Sequence, residues 1–141
     1  MAYENAFQIS AAGLAVEKLR VDTAAANIAH MHSAAPNAAQ LYRPLKVVAD
    51  QALAFSRQFD GLYRQRGAAA QVVEQDAAPR LAYEPGHPYA NDKGFVAYPG
   101  IDQTQEMLTL TTALRAYEAN VVAMSAAKTM AARALEIGGQ Q

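Results

Sequence analysis

The chain has 141 residues, a formal net charge of −1 and no cysteine. Its length suits a single domain and does not require a second one. Alanine supplies much of its 52% hydrophobic content, and aromatic residues make up only 8%, so few bulky side chains can form a deep core. The near-neutral charge argues against binding to nucleic acid or anionic lipid, and the missing cysteines exclude disulfides, thiolate metal sites and cysteine nucleophiles.

The beginning of the chain does not have the pattern of a cleaved secretory signal. Its first sixteen residues carry polar side chains and lack a positive region followed by an unbroken apolar run. One long uncharged run, residues 23–42, has the length of a membrane span but contains two Asn, two His and one Pro. We therefore expect export without a cleaved signal peptide, if the protein is exported, and no span of the lipid bilayer.

Residues 3 to about 30 are predicted to form one long helix. Gly13 is the only glycine there, and no proline interrupts the segment. Apolar residues recur at steps of three and four on more than one face, so this helix needs neighbours on two sides. We assign residues 1–32 to an N-terminal assembly helix.

A second long helix is predicted from about residue 102 to residue 137, stopped by Gly138 and Gly139. A heptad seam runs along it. The seam is compatible with the core of an ordinary helical hairpin, or with an assembly helix in a coiled coil of several chains. We assign residues 102–141 to this C-terminal unit. The seam residues are Met107, Leu110, Leu114, Tyr117, Val121, Met124, Lys128, Ala131 and Leu135.

The middle of the chain, residues 33–101, contains all six prolines. Short strands are expected in LKVVADQALAF, AQVVEQ and PRLAYEPG, with a tight hairpin at Asp60-Gly61. Residues 84–100 are too rich in Pro and Gly for regular structure and should run extended or as turns. The predicted fold is therefore mainly α, with two long helices paired as a coiled coil and joined by a short β-hairpin and an extended Pro-Gly-rich arm. All three segments belong to one structural unit.

Aromatic residues interleave with the prolines of this arm. We expect them to dock on the outer face of the helices or on an adjacent subunit, since prolines reduce the entropy lost on docking. The alternative is a small β unit that closes over its own residues. The residues concerned are Tyr83, Pro85, Pro88, Tyr89, Phe95, Val96 and Tyr98.

A search for catalytic or ligand-binding chemistry finds almost nothing. His30 and His32 would point about 200° apart on a helix, so they could not share a metal there. No serine has the context of a nucleophile, and no glycine-rich loop could hold a phosphate. We expect no enzyme activity, cofactor or metal.

The two ends of the chain resemble the signatures of the flagellar axial proteins, which are the rod and hook components. SAAGLAVEKLRVDTAAANIAH is similar to their N-terminal signature and EMLTLTTALRAYEANVVAMSAAKTM to their C-terminal one. YRPLKVV, VVEQDAAPRLAYEPGHP and KGFVAYPGID resemble the short insert of the proximal rod members. The matching end positions are Ser10, Gly13, Leu14, Arg20, Asn27, Ile28 and Ala29, and then Glu106, Met107, Arg115, Tyr117, Asn120, Val121, Lys128 and Met130.

The resemblance implies a non-catalytic structural subunit of the flagellar basal-body rod, the helical drive shaft that passes torque from motor to hook and crosses the periplasm. Implied partners are copies of the chain, other proximal and distal rod proteins, the basal-body adaptor and the flagellar type III export apparatus. A small helical export chaperone or regulatory coiled-coil module is the competing class. Such a module should dimerise by itself and would not need a Pro-rich arm.

The assembly interface is expected on both helices. Asn27 is a poor residue for a helix interior, so we expect its side chain to fix register by bonding to an exposed backbone carbonyl or to a neighbouring subunit. The alternative is a helix-terminus residue that satisfies its own backbone. The candidate interface comprises Leu14, Val21, Asn27, Ile28, Met107, Leu110, Leu114, Tyr117, Asn120, Val121 and Met124.

Overall fold

The computed structural model describes residues 2–49 and 70–139. This part of the chain is mainly helical, as predicted, and its strands form two separate two-stranded antiparallel sheets. The elements in chain order are α1 (Ala2–His30), β1 (Leu45–Ala49), β2 (Ala70–Glu74), β3 (Arg80–Tyr83), β4 (Phe95–Tyr98) and α2 (Gln103–Gly138).

Helix α2 begins and ends with capping interactions. The Asp102 carboxylate accepts the backbone N–H groups of Thr104 at 2.9 Å and Gln105 at 3.4 Å. At the other end the Gly139 N–H donates to the Leu135 carbonyl at 2.9 Å. These bonds satisfy backbone groups that have no partner inside the helix, so both ends lie within a residue of their predicted positions.

The two helices pack against each other in opposite directions. Gly13 of α1 lies against Asn120, while Arg20, further along α1, lies near Ala113, which precedes Asn120 on α2. The approach is close at Gly13, because a Cβ atom added there would lie 2.9 Å from the Asn120 Nδ2 atom. The small residues Ala24, Ala113 and Ala127 are buried, as expected where two helix backbones come near each other.

Strands β1 and β2 pair from Leu45 opposite Glu74 to Ala49 opposite Ala70, and the pair packs against α1. The predicted strands LKVVA and AQVVE are confirmed. The predicted hairpin at Asp60-Gly61 lies outside the described residues.

Strands β3 and β4 form the second sheet, with Arg80 opposite Tyr98 and Tyr83 opposite Phe95. The expectation of irregular structure throughout residues 84–100 is wrong for Phe95–Tyr98, which is a strand. Gly94 makes this possible, because its φ of 78° lies in the left-handed region that ends the preceding turn. The chain thus reverses within residues 84–94 and returns as β4.

The β3–β4 hairpin is largely closed on its own residues. Val96 is fully buried, and the Tyr98 hydroxyl donates to the Glu84 carboxylate at 3.0 Å. Neither strand packs against α1, α2 or the β1–β2 sheet. Docking of these strands on the chain's own helices is therefore not observed, and the self-contained alternative describes their structure within one chain.

Asn27 joins α1 to the first sheet. Its Nδ2 donates to the Leu45 carbonyl at 2.9 Å, and its Oδ1 accepts the Leu45 N–H and the Tyr42 hydroxyl, each at 2.9 Å. The side chain is fully buried. Burial, and then the nearby Glu106 carboxylate, raise the pKa of Tyr42, so its hydroxyl stays a neutral donor. The bonded backbone is 18 residues away in the same chain, so the helix-terminus alternative is wrong.

Replacing Asn27 with alanine should lower the free energy of unfolding by about 2–4 kcal/mol, because it leaves both Leu45 backbone groups and the Tyr42 hydroxyl without their partner. Urea unfolding would measure this change. Asn37→Ala is the matched control, since Asn37 is exposed and bonds only to the nearby Gln40 N–H, and it should cost less than about 0.5 kcal/mol. Equal, small losses in both variants would contradict the role assigned to Asn27.

Gly13→Ala should destabilise the chain by at most about 1 kcal/mol, because the Asn120 amide must shift away from the added Cβ atom and this cost offsets the higher helix propensity of alanine. The same substitution in an Asn120→Ala background should be neutral or stabilising, since the crowding amide is gone. A double-mutant cycle by urea unfolding measures this coupling. Additive effects of the two substitutions would contradict a close contact at this point.

Candidate assembly surface

Two lines of residues run along α2, displaced from each other by one residue in sequence. The first line, Ala113, Asn120 and Ala127, lies on the side that packs on α1, and both alanines are buried. The second line, Met107, Leu114 and Val121, is 45–48% exposed. Both lines have a spacing of seven residues, but the small side chains form the contact within the chain while the larger apolar ones face outward.

The predicted heptad seam coincides only in part with the contact between the two helices. Its Leu110 and Met124 are half-buried beside α1, whereas Tyr117 remains 37% and Leu135 77% exposed. The contact with α1 is shifted because alanine and asparagine permit a closer helix approach than leucine or methionine.

The candidate residues on α1 are less accessible. Leu14, Val21 and Ile28 are half-buried, and Asn27 is enclosed by its own chain. Asn120 of α2 is half-buried against Gly13, so the two terminal signatures meet at this point. The eleven candidates thus divide into exposed residues on α2 and residues that hold the chain itself together.

Several large apolar side chains are more exposed than the predicted ones. The exposed residues on α2 could have been predicted from the sequence, because this helix contains more large apolar residues than one heptad seam can hold. They lie on both helices, and they are Ile9 at 73%, Leu108 at 59%, Val122 at 67%, Met130 at 55% and Ile137 at 78% exposed.

A second apolar surface lies on the β3–β4 hairpin. Leu81 and Tyr83 on β3 and Phe95 on β4 project from one face and are 62%, 66% and 37% exposed. The rings of Tyr83 and Phe95 meet edge to face at 5.4 Å between centroids. We call these three residues the hairpin patch.

The His30 ring makes contacts that hold the fold together. The His30 Nδ1 donates to the Ala26 carbonyl at 2.8 Å, and its ring stacks on Tyr42 at 4.4 Å between centroids. Within residues 2–49 and 70–139, no three His, Asp or Glu side chains are grouped to hold a metal ion. In the same ranges, neither helix combines the length and apolar character needed to cross a bilayer.

Comparisons with known proteins point to the same family, both for the C-terminal segment and for nearly the whole chain. Residues 92–137, which cover most of α2, match the family described as "Flagellar basal body rod FlgEFG protein C-terminal". Relatives named "Flagellar basal-body rod protein FlgC" match almost the whole chain. The one from Escherichia coli O157:H7 is 34% identical over 138 residues, covering 98% of this chain and 99% of the relative. The one from Salmonella typhimurium is 33% identical with the same coverage.

A more distant relative from Bacillus subtilis carries the same name. It is 30% identical over 145 residues and covers 95% of this chain and 97% of its own length. The agreement extends through both helices and the middle of the chain rather than through the terminal signatures alone. The chain therefore belongs to the family of flagellar basal-body rod proteins FlgC.

Proposed function

We propose that this chain is a structural subunit of the proximal rod of the bacterial flagellum, polymerising into the helical shaft that transmits torque from motor to hook. The observation that carries the proposal is the exposed line of Met107, Leu114 and Val121 on α2. A small monomer gains nothing from large apolar residues in water, and contiguous exposed apolar surface marks protein interaction sites. The name that its relatives carry, flagellar basal-body rod protein, supports the rod as the place of assembly.

The burial pattern also favours assembly over a stand-alone module. The contact between α1 and α2 buries Ala113 and Ala127 and half-buries Leu110 and Met124, while Met107, Leu114 and Val121 stay 45–48% exposed, so much large apolar area is left outside it. Large side chains on the outer faces can supply the missing area when helices of neighbouring subunits pack beside them as a coiled coil. A small helical adaptor would place its largest side chains in its own hairpin core, which is the opposite arrangement.

The proposed partners are further copies of this chain, other proximal and distal rod proteins, and the basal-body adaptor. The hairpin patch is proposed to dock on an adjacent subunit. We also propose that the chain reaches the rod in the periplasm through the flagellar type III export apparatus, without a cleaved signal peptide.

Leu114→Asp should abolish incorporation into the rod, because assembly would desolvate a carboxylate at the centre of the exposed line, at a cost of several kcal/mol. Val121→Asp should have the same effect. The measurement is swimming in soft agar, with recovery of each variant from purified basal bodies, in a strain of the source organism that lacks the gene. Circular dichroism of the purified variants should remain unchanged, since both positions are 45% exposed in the monomer.

Ala119→Asp provides the matched control. It places the same charge on an exposed position of α2 about 140° around the helix from Leu114, and it should retain incorporation. Leu114→Met should also assemble, since it keeps an apolar side chain of similar volume. Normal swimming in both aspartate variants of the exposed line would contradict the proposed assembly surface.

A further inference from the structure

The pairing register of β1 and β2 shows which backbone groups of each strand point away from the other strand. The Gln75 N–H donates to the Pro44 carbonyl at 2.7 Å, so Pro44 and Gln75 form a hydrogen-bonded pair. Hydrogen-bonded and non-bonded pairs alternate in an antiparallel ladder. The N–H and C=O groups of Leu45 on β1, and of Val72 and Glu74 on β2, therefore point outward. Leu45 confirms this, because both of its groups are bonded to Asn27.

The same reasoning applies to the hairpin β3–β4. The Glu84 N–H donates to the Gly94 carbonyl at 2.9 Å, so the next pair, Tyr83 and Phe95, turns its backbone groups outward. Both outward groups of Phe95 are occupied by Asn91. Its Oδ1 accepts the Phe95 N–H at 2.9 Å, and its own N–H donates to the Phe95 carbonyl at 2.9 Å.

Each sheet thus has one edge where an asparagine bonds the outward groups of one strand residue, and one edge where no such bond is seen among the described residues. Asn27 bonds Leu45 of β1 and Asn91 bonds Phe95 of β4, whereas among the described residues nothing pairs with the outer edge of β2 or of β3. Val72 is 41% and Tyr83 66% exposed. Neither strand has an internal proline, bulge or inward charge of the kind that protects edges from pairing. The two open strands do not contact each other within the chain.

We propose that copies of this chain join by pairing the open edge of β2 in one copy with the open edge of β3 in the next, forming a continuous four-stranded sheet. The inference rests on the proposed function, because it specifies how subunits of the assembly meet. Because the two edges that meet are different, the last copy at one end still has a free β2 edge and the last copy at the other end a free β3 edge. Such an assembly can grow into a helical array instead of closing as a dimer. Peptide recognition by strand addition has the same physical basis.

The side chains fit this partner. Aligning the outward backbone groups in antiparallel direction puts Val72 opposite Tyr83 of the next copy. Val47, Val72, Tyr83 and Phe95 then form one row across four strands, two from each copy. Pairs of β-branched and aromatic residues stabilise such rows. The pairing therefore extends the hairpin patch of one copy onto the sheet of another.

Charge selects the antiparallel direction. Glu74 ends β2, Arg80 begins β3 and Glu84 follows it. Antiparallel pairing in this register places Glu74 opposite Leu81 and away from Glu84, with the Arg80 side chain on the other face of the sheet. Parallel pairing would bring Glu74 to Glu84, and neighbouring like charges across a sheet are destabilising.

Disulfide trapping in the otherwise cysteine-free chain tests the pairing. Hydrogen-bonded residues opposite each other lie about 5.5 Å apart between Cα atoms, within the range for a disulfide. The full-length double variant Val72→Cys with Tyr83→Cys, oxidised at high protein concentration, should give a ladder of dimers, trimers and longer species on a non-reducing gel. The control double variant Gln71→Cys with Ala82→Cys, whose side chains are not opposite each other in this register, should remain monomeric.

The outcomes separate the possibilities. No ladder from a sample that sediments as a polymer would overturn the edge pairing and leave the proposed assembly intact. Dimers from Val72→Cys alone would also overturn it, since they require β2 to pair with β2. A chain that neither sediments nor forms a ladder would count against both proposals.

Proline at position 72 gives an independent test. Val72→Pro removes an N–H that points away from β1, so the hydrogen bonds between β1 and β2 are kept. We expect about tenfold less sedimented protein at a given concentration, because the edge loses a backbone bond. Val72→Thr keeps the N–H and should behave as wild type. Full assembly and normal swimming of Val72→Pro would overturn the edge pairing while leaving the rod function standing.

Discussion

The paired hydrogen bonds between the Asn27 amide and the backbone of Leu45 determine how the rest of the chain is arranged. A carboxamide has one donor and one acceptor side by side, as a strand residue does, so it can occupy both outward groups of Leu45. This contact fixes β1 to α1 and occupies the outward backbone groups of Leu45 at one edge of the first sheet. Strand β2 pairs with the other side of β1, and its outer edge has no paired strand among the described residues.

The helices show a reversed distribution of side-chain size. In a self-sufficient helical hairpin the largest apolar residues fill the space between the helices. Here Gly13 lies against Asn120 and the buried residues of α2 are Ala113 and Ala127, while Leu114 and Val121 remain partly exposed. The chain therefore combines a close internal contact with large apolar side chains that stay exposed on its outer surfaces.

Helix ends and three of the four strands could be predicted from the sequence, because proline, glycine and β-branched residues act locally. The position of the helix contact could not, since Leu114 and Ala113 both repeat every seven residues and periodicity alone does not choose between them. Strand β4 was missed because its pairing depends on Asn91 and on the positive φ of Gly94. The partner of Asn27 lies 18 residues along the chain, and only the fold identifies it.

The contact between Asn91 and Phe95 also bears on the order in which parts of the chain fold. That contact joins residues only four positions apart, whereas the α1–α2 contact joins the two ends of the chain. Short loops close in tens of nanoseconds and hairpins form in microseconds, while contacts between distant segments bear a larger loop-closure entropy. We expect the β3–β4 hairpin to form before the two helices meet, so an unfolded chain would gain this β element before its two ends come together.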